Sequence, residues 1–226
     1  MAAQQKAARP IRTIAGGKAR AGTPYVTYGI IGLCVALFVV QMAAPGVWSA
    51  MVFVPAIAEA QPWRFLTAAF LHASIPHILF NMYALYLVGP SLEKALGIWR
   101  YVSLYVLSAI GGSVSVLLFA SPDAQSWVTQ TVGASGAVFG LFAALALTLR
   151  RVGSSETQIL VLIGINLAIG FILPGISWEA HVGGLFVGAI LGGAYLFAPR
   201  EKSTMISVLT TVAVALALLG LIAVGV

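Results

Sequence analysis

Ser135 lies among small residues in an apolar segment, within the sequence Gly133-Ala134-Ser135-Gly136. A serine in this setting has two ordinary uses. Its hydroxyl can donate to a backbone carbonyl one turn earlier, while its small neighbours let membrane helices pack closely. Alternatively, the hydroxyl acts as a nucleophile if a general base lies within hydrogen-bond reach. The positions of the histidines decide which interpretation the chain favours.

His181 is the histidine that close helix packing would bring to Ser135. Small residues recur every four positions beside both: Gly136 and Gly140 after the serine, and Ala180, Gly184, Gly188 and Gly192 around the histidine. Two such stripes permit close approach of their helices, so we expect the hydroxyl and the imidazole within hydrogen-bond reach. Imidazole titrates near neutral pH and can accept the serine proton, then return it to a leaving amine. Glu179 cannot complete a triad, because residues two apart on a helix do not face each other. The pattern predicts a Ser–His dyad.

His77 and Asn81 are four residues apart and share one face of a predicted helix. Both side chains can donate hydrogen bonds to the oxyanion of a tetrahedral intermediate, where one such donor contributes about 3–4 kcal/mol. His72 is the remaining histidine of the chain and lies in the same region. Each polar residue alone has an ordinary structural explanation as a side chain bonded to a carbonyl. Together they favour a functional site, because placing polar groups inside apolar spans costs free energy.

The composition is that of an integral membrane protein. Of the 226 residues, 60% are hydrophobic and only 8% are charged, whereas soluble domains carry about 25% charged residues. The single cysteine, Cys34, excludes an intramolecular disulfide and a cysteine-based metal site. No His-Glu-x-x-His sequence occurs, which argues against a zinc protease. The only aspartate, Asp123, lies in a predicted loop, which argues against an aspartyl intramembrane protease. We therefore expect neither of these metal sites.

Seven apolar runs predict an all-α membrane protein, since each approaches the roughly 20 residues that cross a bilayer. They cover residues 25–42, 72–90, 101–120, 132–149, 158–173, 179–197 and 205–226. Residues 1–22 form a predicted flexible, basic, cytoplasmic tail, and residues 23–226 a membrane domain with a core of about 23–200 and an additional helix of about 204–226. The connection 43–71, rich in Trp and Pro, predicts an interfacial segment. No internal repeat occurs, which disfavours a transporter built from related halves.

The basic residues predict the orientation. With a cytoplasmic N-terminus, eleven of the twelve Lys and Arg residues lie inside and only Arg64 lies outside. The inner set comprises Lys6, Arg9, Arg12, Lys18, Arg20, Lys94, Arg100, Arg150, Arg151, Arg200 and Lys202. Spans two, four and six then run inward, so their polar residues meet near the outer surface. Ser135 would lie about 10 Å below that surface, and hydrolysis there requires a polar cavity open to the outside.

These motifs resemble the rhomboid family of intramembrane serine proteases, over roughly residues 63–197. The resemblance is carried by Trp63-Arg64, His72-x4-His77-x3-Asn81, Glu93, Gly133-Ala134-Ser135-Gly136 and Ala180-His181-x2-Gly184-x3-Gly188. It implies a six-helix core, here with a seventh helix, and Ser135 as nucleophile with His181 as base. It also implies an oxyanion hole formed by His77, Asn81 and the Ser135 amide. Substrates of the family are transmembrane proteins, cleaved near their outer ends without a cofactor and admitted past span five.

By the same resemblance, other residues support the site or its surrounding loops. His72, Phe139, Gly133, Gly136 and Gly184 are expected around the dyad, while Trp63, Arg64 and Glu93 are expected in structural loops or turns. Phe139 departs from the family pattern, because relatives often have a tyrosine stacked on the histidine. The phenylalanine keeps the stacking face and lacks the hydroxyl, so we expect altered tuning of the site. The seventh span has no charged residue and is interpreted as a packing helix.

One alternative function remains, a catalytically inactive client-binding protein, whereas transport and nucleic-acid binding are disfavoured. A catalytically inactive rhomboid-like protein would bind transmembrane clients, but such proteins are expected to lack the serine or the histidine. A proton-coupled transporter would use the three histidines but lacks repeated halves. Nucleic-acid binding by the basic tail is disfavoured because the tail has no aromatic residue for stacking. The expected partners are transmembrane substrates and the bilayer, and the compact chain fits a bacterial cytoplasmic membrane.

Overall fold

The computed structural model describes residues 13, 15 and 22–225, and in this part of the chain it is helical. The α-helices in order are α1 Tyr25–Ala43, α2 Pro45–Met51, α3 Arg64–Thr67, α4 Ile75–Leu96, α5 Ile98–Phe119, α6 Ser135–Arg151, α7 Thr157–Ile172, α8 Trp178–Phe197 and α9 Ser203–Gly225. A long helix overlaps each predicted apolar run. The only β pairing among the described residues is an isolated antiparallel bridge between Phe53 and Thr131.

Several helices are long and apolar enough to cross a membrane. Four meet this condition by themselves: α1, α5, α8 and the continuous segment Arg200–Gly225 that contains α9. A fifth candidate is α4 together with the preceding segment Arg64–Phe70, which meets it at 94°. The remaining long helices, α6 and α7, have 17 and 16 residues. Such helices satisfy their own backbone hydrogen bonds, as a bilayer requires.

The centre of the molecule is formed by α5, α6 and α8, which approach closely through glycines. The structure places the two small-residue stripes in contact. A Cβ atom at Gly184 or Gly188 would overlap the backbone of Gly136 or Gly140, respectively. On the other side, a Cβ at Gly112 of α5 would lie 3.0 Å from the carbonyl oxygen of Ala180. The absence of side chains at these positions therefore sets the separation of the helices.

The connection between α1 and α4 is held by Arg64. Its side chain is buried and donates to the carbonyls of Val52 at 2.5 Å and Ser49 at 2.6 Å, and to Gln61 Oε1 at 2.6 Å. The half-exposed Trp63 donates from its indole to the Ala50 carbonyl at 3.0 Å. The connection is thus a folded segment with two short α-helices, α2 and α3, rather than a free loop.

Glu93 lies in the last turns of α4, so the prediction of a turn at this residue is wrong. The helix continues past Pro90 to Leu96 and ends before Gly97, which has φ 83°. The Glu93 carboxylate accepts hydrogen bonds from the backbone N–H groups of Val26 at 3.2 Å and Thr27 at 2.9 Å, and from the Thr27 hydroxyl at 2.7 Å. These groups belong to the first turn of α1, whose N–H groups have no partner within the helix. Glu93 therefore caps α1.

The additional helix α9 is joined to the core by polar contacts as well as by packing. Arg100 is buried in α5 and donates to Ser207 Oγ at 3.0 Å and Ser203 Oγ at 3.4 Å. The Tyr195 and Thr211 hydroxyls lie 2.6 Å apart. Most of the predicted tail, 1–22, lies outside the described residues. Its Ala15 is buried, and its N–H donates to the carbonyl of Ala95 at 3.3 Å.

Candidate active site

A cavity of about 550 Å³ lies between α4, α5, α6, α7 and α8. The four polar residues singled out above all line it: Ser135, His181, His77 and Asn81. Three of the expected supporting residues, Gly133, Gly136 and Phe139, line it as well. The structure therefore brings these side chains from three helices to one space.

Ser135 is the first residue of α6, and the turn before it requires glycine at position 133. Gly133 has φ 125°, which side-chain-bearing residues rarely adopt. A Cβ at this position would lie 2.7 Å from the His77 ring and 3.8 Å from Ser135 Oγ. The Gly133 N–H donates to the Ala68 carbonyl at 3.0 Å, which ties the turn to the segment before α4. The glycine thus lets His77 approach the backbone next to Ser135.

The hydrogen bonds of His77 indicate which ring nitrogen has the proton. Its Nδ1 accepts from the Ala73 backbone N–H at 3.3 Å, so in the neutral ring Nε2 is the protonated nitrogen. That Nε2 atom is the one near Gly133. The His77 backbone N–H donates to Ser74 Oγ at 3.3 Å, which caps α4. The ring is therefore oriented with a donor directed to the start of α6.

Asn81 is one turn further along α4. Its amide nitrogen donates to the His77 carbonyl at 2.9 Å, which uses one of its two N–H groups. The side chain is 7% exposed and lines the cavity. A second N–H is thus available beside the donor of His77.

His181 is sandwiched between α6 and α7. Its ring stacks on Phe139 with centroids 4.2 Å apart and an interplanar angle of 10°. Phe139 follows Ser135 by one helical turn, so the stack sets the imidazole beside the start of α6. On the opposite side, a Cβ at Gly170 of α7 would lie 3.5 Å from His181 Nδ1, which is buried without a hydrogen-bond partner among the described residues. The Ser135 hydroxyl and the His181 imidazole line the same cavity, but in this structure no hydrogen bond joins them. Catalytic hydrogen bonds are often long in the absence of substrate.

His72 is close to the site but does not line the cavity. It is fully buried, and its ring lies edge-on to His77 with the ring centroids 5.1 Å apart. Its backbone is held by Gln41 of α1, whose amide donates to the His72 carbonyl at 2.6 Å and accepts from its N–H at 3.4 Å. Gln41 was not identified from sequence, because a glutamine near the end of a span has no distinguishing pattern.

Asn166 is a second residue that sequence reasoning missed. It lies in the middle of α7, lines the cavity and donates to the Leu162 carbonyl of its own helix at 2.8 Å. A strongly polar side chain inside an otherwise apolar span was the available signal. Gly170 follows it by four residues, so both lie on the face of α7 that is directed to His181.

Comparison with known proteins is consistent with these features. Residues 59–200 match the Rhomboid domain. The chain is 37% identical over 152 residues to Rhomboid protease GluP of Bacillus subtilis (strain 168), covering 64% of this chain and 28% of that protein. It is 37% identical over 147 residues to RHOMBOID-like protein 7 of Arabidopsis thaliana, covering 62% and 45% of the two chains. With Rhomboid protease AarA of Providencia stuartii it shares 26% identity over 178 residues, covering 68% and 63%.

The chain spans less than two thirds of the length of these relatives. The match to the Rhomboid domain, however, covers more than half of this chain. It includes all the residues that line the cavity in α4, α6, α7 and α8. Together with the apolar helices, this match means that the chain belongs to the rhomboid family of multi-pass membrane proteins.

Proposed function

We propose that this protein is an intramembrane serine endopeptidase that hydrolyses peptide bonds in or near transmembrane segments. The supporting observation is that Ser135, His181, His77 and Asn81 line one cavity although they come from three helices. A nucleophile, a base and two oxyanion donors are the groups that acyl transfer requires. Relatives named rhomboid proteases support the same assignment at the level of the family.

In the proposed mechanism, His181 accepts the proton of Ser135 as Oγ attacks the carbonyl carbon of the scissile peptide bond. The tetrahedral intermediate then collapses, and His181 donates the proton to the departing amine. Water next attacks the acyl-enzyme with His181 again acting as base, which releases the acid and regenerates the serine. Phe139 supports the imidazole from one face throughout.

The oxyanion would be stabilised at the N-terminal end of α6. Three donors are available there: the Ser135 N–H, the His77 Nε2–H and the second amide N–H of Asn81. The first N–H groups of a helix have no partner within it, and the helix dipole adds a partial positive charge at this end. In a low-dielectric site such fixed donors contribute most where charge develops.

The cavity reaches the lipid-facing surface of the protein. Phe80 of α4 is exposed, as are Ile169 and Leu173 at the outer part of α7, and all three line the cavity. A transmembrane segment could therefore approach from the bilayer between these helices. We further propose seven spans with a cytoplasmic N-terminus, a bacterial cytoplasmic membrane, and a site open to the extracytoplasmic side. The distribution of Lys and Arg supports this orientation.

One observation favours a second candidate function. Ser135 and His181 are not hydrogen-bonded in this structure, and several relatives are named RHOMBOID-like proteins rather than proteases. A catalytically inactive protein that binds transmembrane clients in the same cavity would have these properties. The presence of both dyad residues favours the protease.

The deciding experiment is fluorophosphonate labelling of the purified full chain, with cleavage of a model transmembrane substrate measured in parallel. We expect labelling and cleavage by the wild type, neither by Ser135→Ala, and strongly reduced values for His181→Ala. Ser113→Ala is the matched control, because Ser113 lines the same cavity from α5 but has no role in the proposed mechanism. Equal labelling of wild type and Ser135→Ala would contradict the nucleophile assignment. Tight substrate binding without cleavage by any variant would favour the client-binding protein.

A further inference from the structure

A second cavity, of about 380 Å³, adjoins the first beyond the N-terminal end of α6. Of the described residues, seven line both cavities: Ala73, His77, Thr131, Val132, Gly175, Ile176 and Ser177. The second is bordered by Trp48 of α2, the end of α5, the connection between α5 and α6, and the first turn of α8. It therefore lies on the loop side of Ser135, whereas the first cavity extends between the transmembrane helices.

The walls of this cavity offer hydrogen-bond acceptors and one negative charge. Among the residues that the structure describes, Glu179 is the only acidic residue that lines it, and no lysine or arginine does so. Hydroxyl and amide groups of Ser126, Thr129, Gln130 and Ser177 surround the same space. Ser177 Oγ donates to one carboxylate oxygen of Glu179 at 3.0 Å, which orients the carboxylate. Such a site suits the positively charged end of a lysine or arginine side chain.

The ordinary explanation for Glu179 is electrostatic stabilisation of α8. An acidic residue in the first turn of a helix interacts favourably with the helix dipole. This explanation requires no adjoining space. It does not account for a cavity of this size next to the carboxylate, joined to the cavity of Ser135 by a shared wall. The volume falls within the range of pockets that hold ligands.

A substrate chain extended across Ser135 would pass this second cavity. Each residue of an extended chain covers about 3.3 Å, and His77 both borders the second cavity and approaches the backbone beside Ser135. A side chain within about three residues of the scissile bond, on its loop side, can therefore enter the cavity. The opposite side of the scissile bond continues between α4 and α7.

We propose that Glu179 is a specificity-determining residue, which selects substrates with a lysine or arginine near the scissile bond on its water-exposed side. This inference rests on the proposed function and adds a substrate class to it. The basic side chain occupies the second cavity and pairs with the Glu179 carboxylate, while the neighbouring hydroxyl and amide oxygens accept its remaining N–H groups.

The test is a charge exchange between enzyme and substrate. Model transmembrane substrates carry Lys, Gln or Glu at each of the three positions on the loop side of the scissile bond, and kcat/KM is compared within each set. For the wild type we expect a preference for Lys over Gln of about two- to five-fold at one position, as for a partly exposed ion pair. Glu179→Gln still accepts from Ser177 but has no charge, so the ratio should fall to about one. Glu179→Lys should invert the preference in favour of the Glu substrate.

Asp123→Asn is the matched control. Asp123 lies in the connection between α5 and α6, which forms part of the cavity wall, but Asp123 itself does not line the cavity. The Lys preference should persist in this variant. An equal loss in Asp123→Asn would mean that long-range electrostatics cause the preference, and it would overturn the proposal. So would equal kcat/KM values for the Lys and Gln substrates in the wild type.

A binding measurement separates this inference from the proposed function. Fluorescence anisotropy of labelled Lys and Gln substrates on Ser135→Ala requires no turnover. We expect tighter binding of the Lys substrate, and loss of the difference in Ser135→Ala/Glu179→Gln. Equal affinities on Ser135→Ala overturn the role of Glu179 even if the wild type is an active protease. A charge-dependent difference supports it even if cleavage is never observed.

Discussion

Asn81 and His77 occupy successive turns on one face of α4, and each has a donor that α4 itself does not use. Their interaction with each other is local: the Asn81 amide donates to the His77 carbonyl. Spacing alone therefore explains why they are neighbours. Their relation to Ser135 is different, because it depends on the Gly133 turn, where a Cβ would lie 2.7 Å from the His77 ring.

If Asn81 donates to the oxyanion, Asn81→Ala should lower kcat by about 100-fold with little change in KM, because the lost interaction exists only in the transition state. The measurement is the steady-state cleavage of a model transmembrane substrate, with thermal unfolding as a check on folding. Tyr83→Phe is the control, because it removes a polar group from an exposed position of the same helix. An unchanged kcat in a folded Asn81→Ala protein would remove Asn81 from the oxyanion hole.

At the scale of the elements, the contact between α6 and α8 is the one that gives Ser135 its proposed base. It depends on glycine, since a Cβ at Gly184 would overlap the Gly136 backbone, and backbone cannot move aside as a flexible side chain can. The α9 helix is joined differently, through the hydrogen bonds from Arg100 to Ser203 and Ser207. Small residues thus bring α6 and α8 together, whereas buried polar contacts join α9 to α5.

Gly184→Ala should separate α6 from α8 and destabilise the protein by about 1–3 kcal/mol, the usual cost of overpacking. Activity should fall further than stability, because a shift of about 1 Å moves His181 out of line with Ser135. Thermal denaturation in detergent and substrate cleavage give the two quantities. Gly193→Ala is the control on the same helix, where a Cβ would meet nothing within 4 Å. Equal effects of both substitutions would contradict this account of the contact.

For the molecule as a whole, the orientation in the membrane determines on which side the cavity opens. The proposed orientation puts the connection between α5 and α6 outside and the connection between α6 and α7 inside. Both connections contain exposed small residues, Ala124 and Ser154. Cys34 is fully buried and can be replaced to leave a background without cysteine.

In the Cys34→Ala background, Ala124→Cys should react with a membrane-impermeant maleimide in intact cells, and Ser154→Cys should react only after the membrane is permeabilised. The reason is the asymmetric distribution of Lys and Arg. Labelling of both variants after lysis serves as the control for accessibility. The reverse pattern in intact cells would contradict the orientation and put the cavity on the cytoplasmic side.

Much of the fold was predictable because its determinants are local in the chain. An apolar run of about 20 residues must satisfy its backbone hydrogen bonds within itself, so it forms a helix wherever it lies. The long helices accordingly overlap the predicted runs, and the motifs around Ser135, His77, Asn81 and His181 indicated the residues that share the cavity. Pattern alone was less reliable at helix ends, since Glu93 lies within α4 rather than in a turn.

The apolar runs and the motifs thus predict the helices, the class of protein and the residues that we propose for acyl transfer. The packing of the helices established which of them touch and what lies between them: the capping of α1 by Glu93, the support of His72 by Gln41, and the two adjoining cavities that share His77 among their lining residues. Helices in lipid do not associate through a hydrophobic pattern, because lipid tails are as apolar as their side chains. They associate through small residues and single polar contacts, whose partners are distant in the chain and leave no periodic signal.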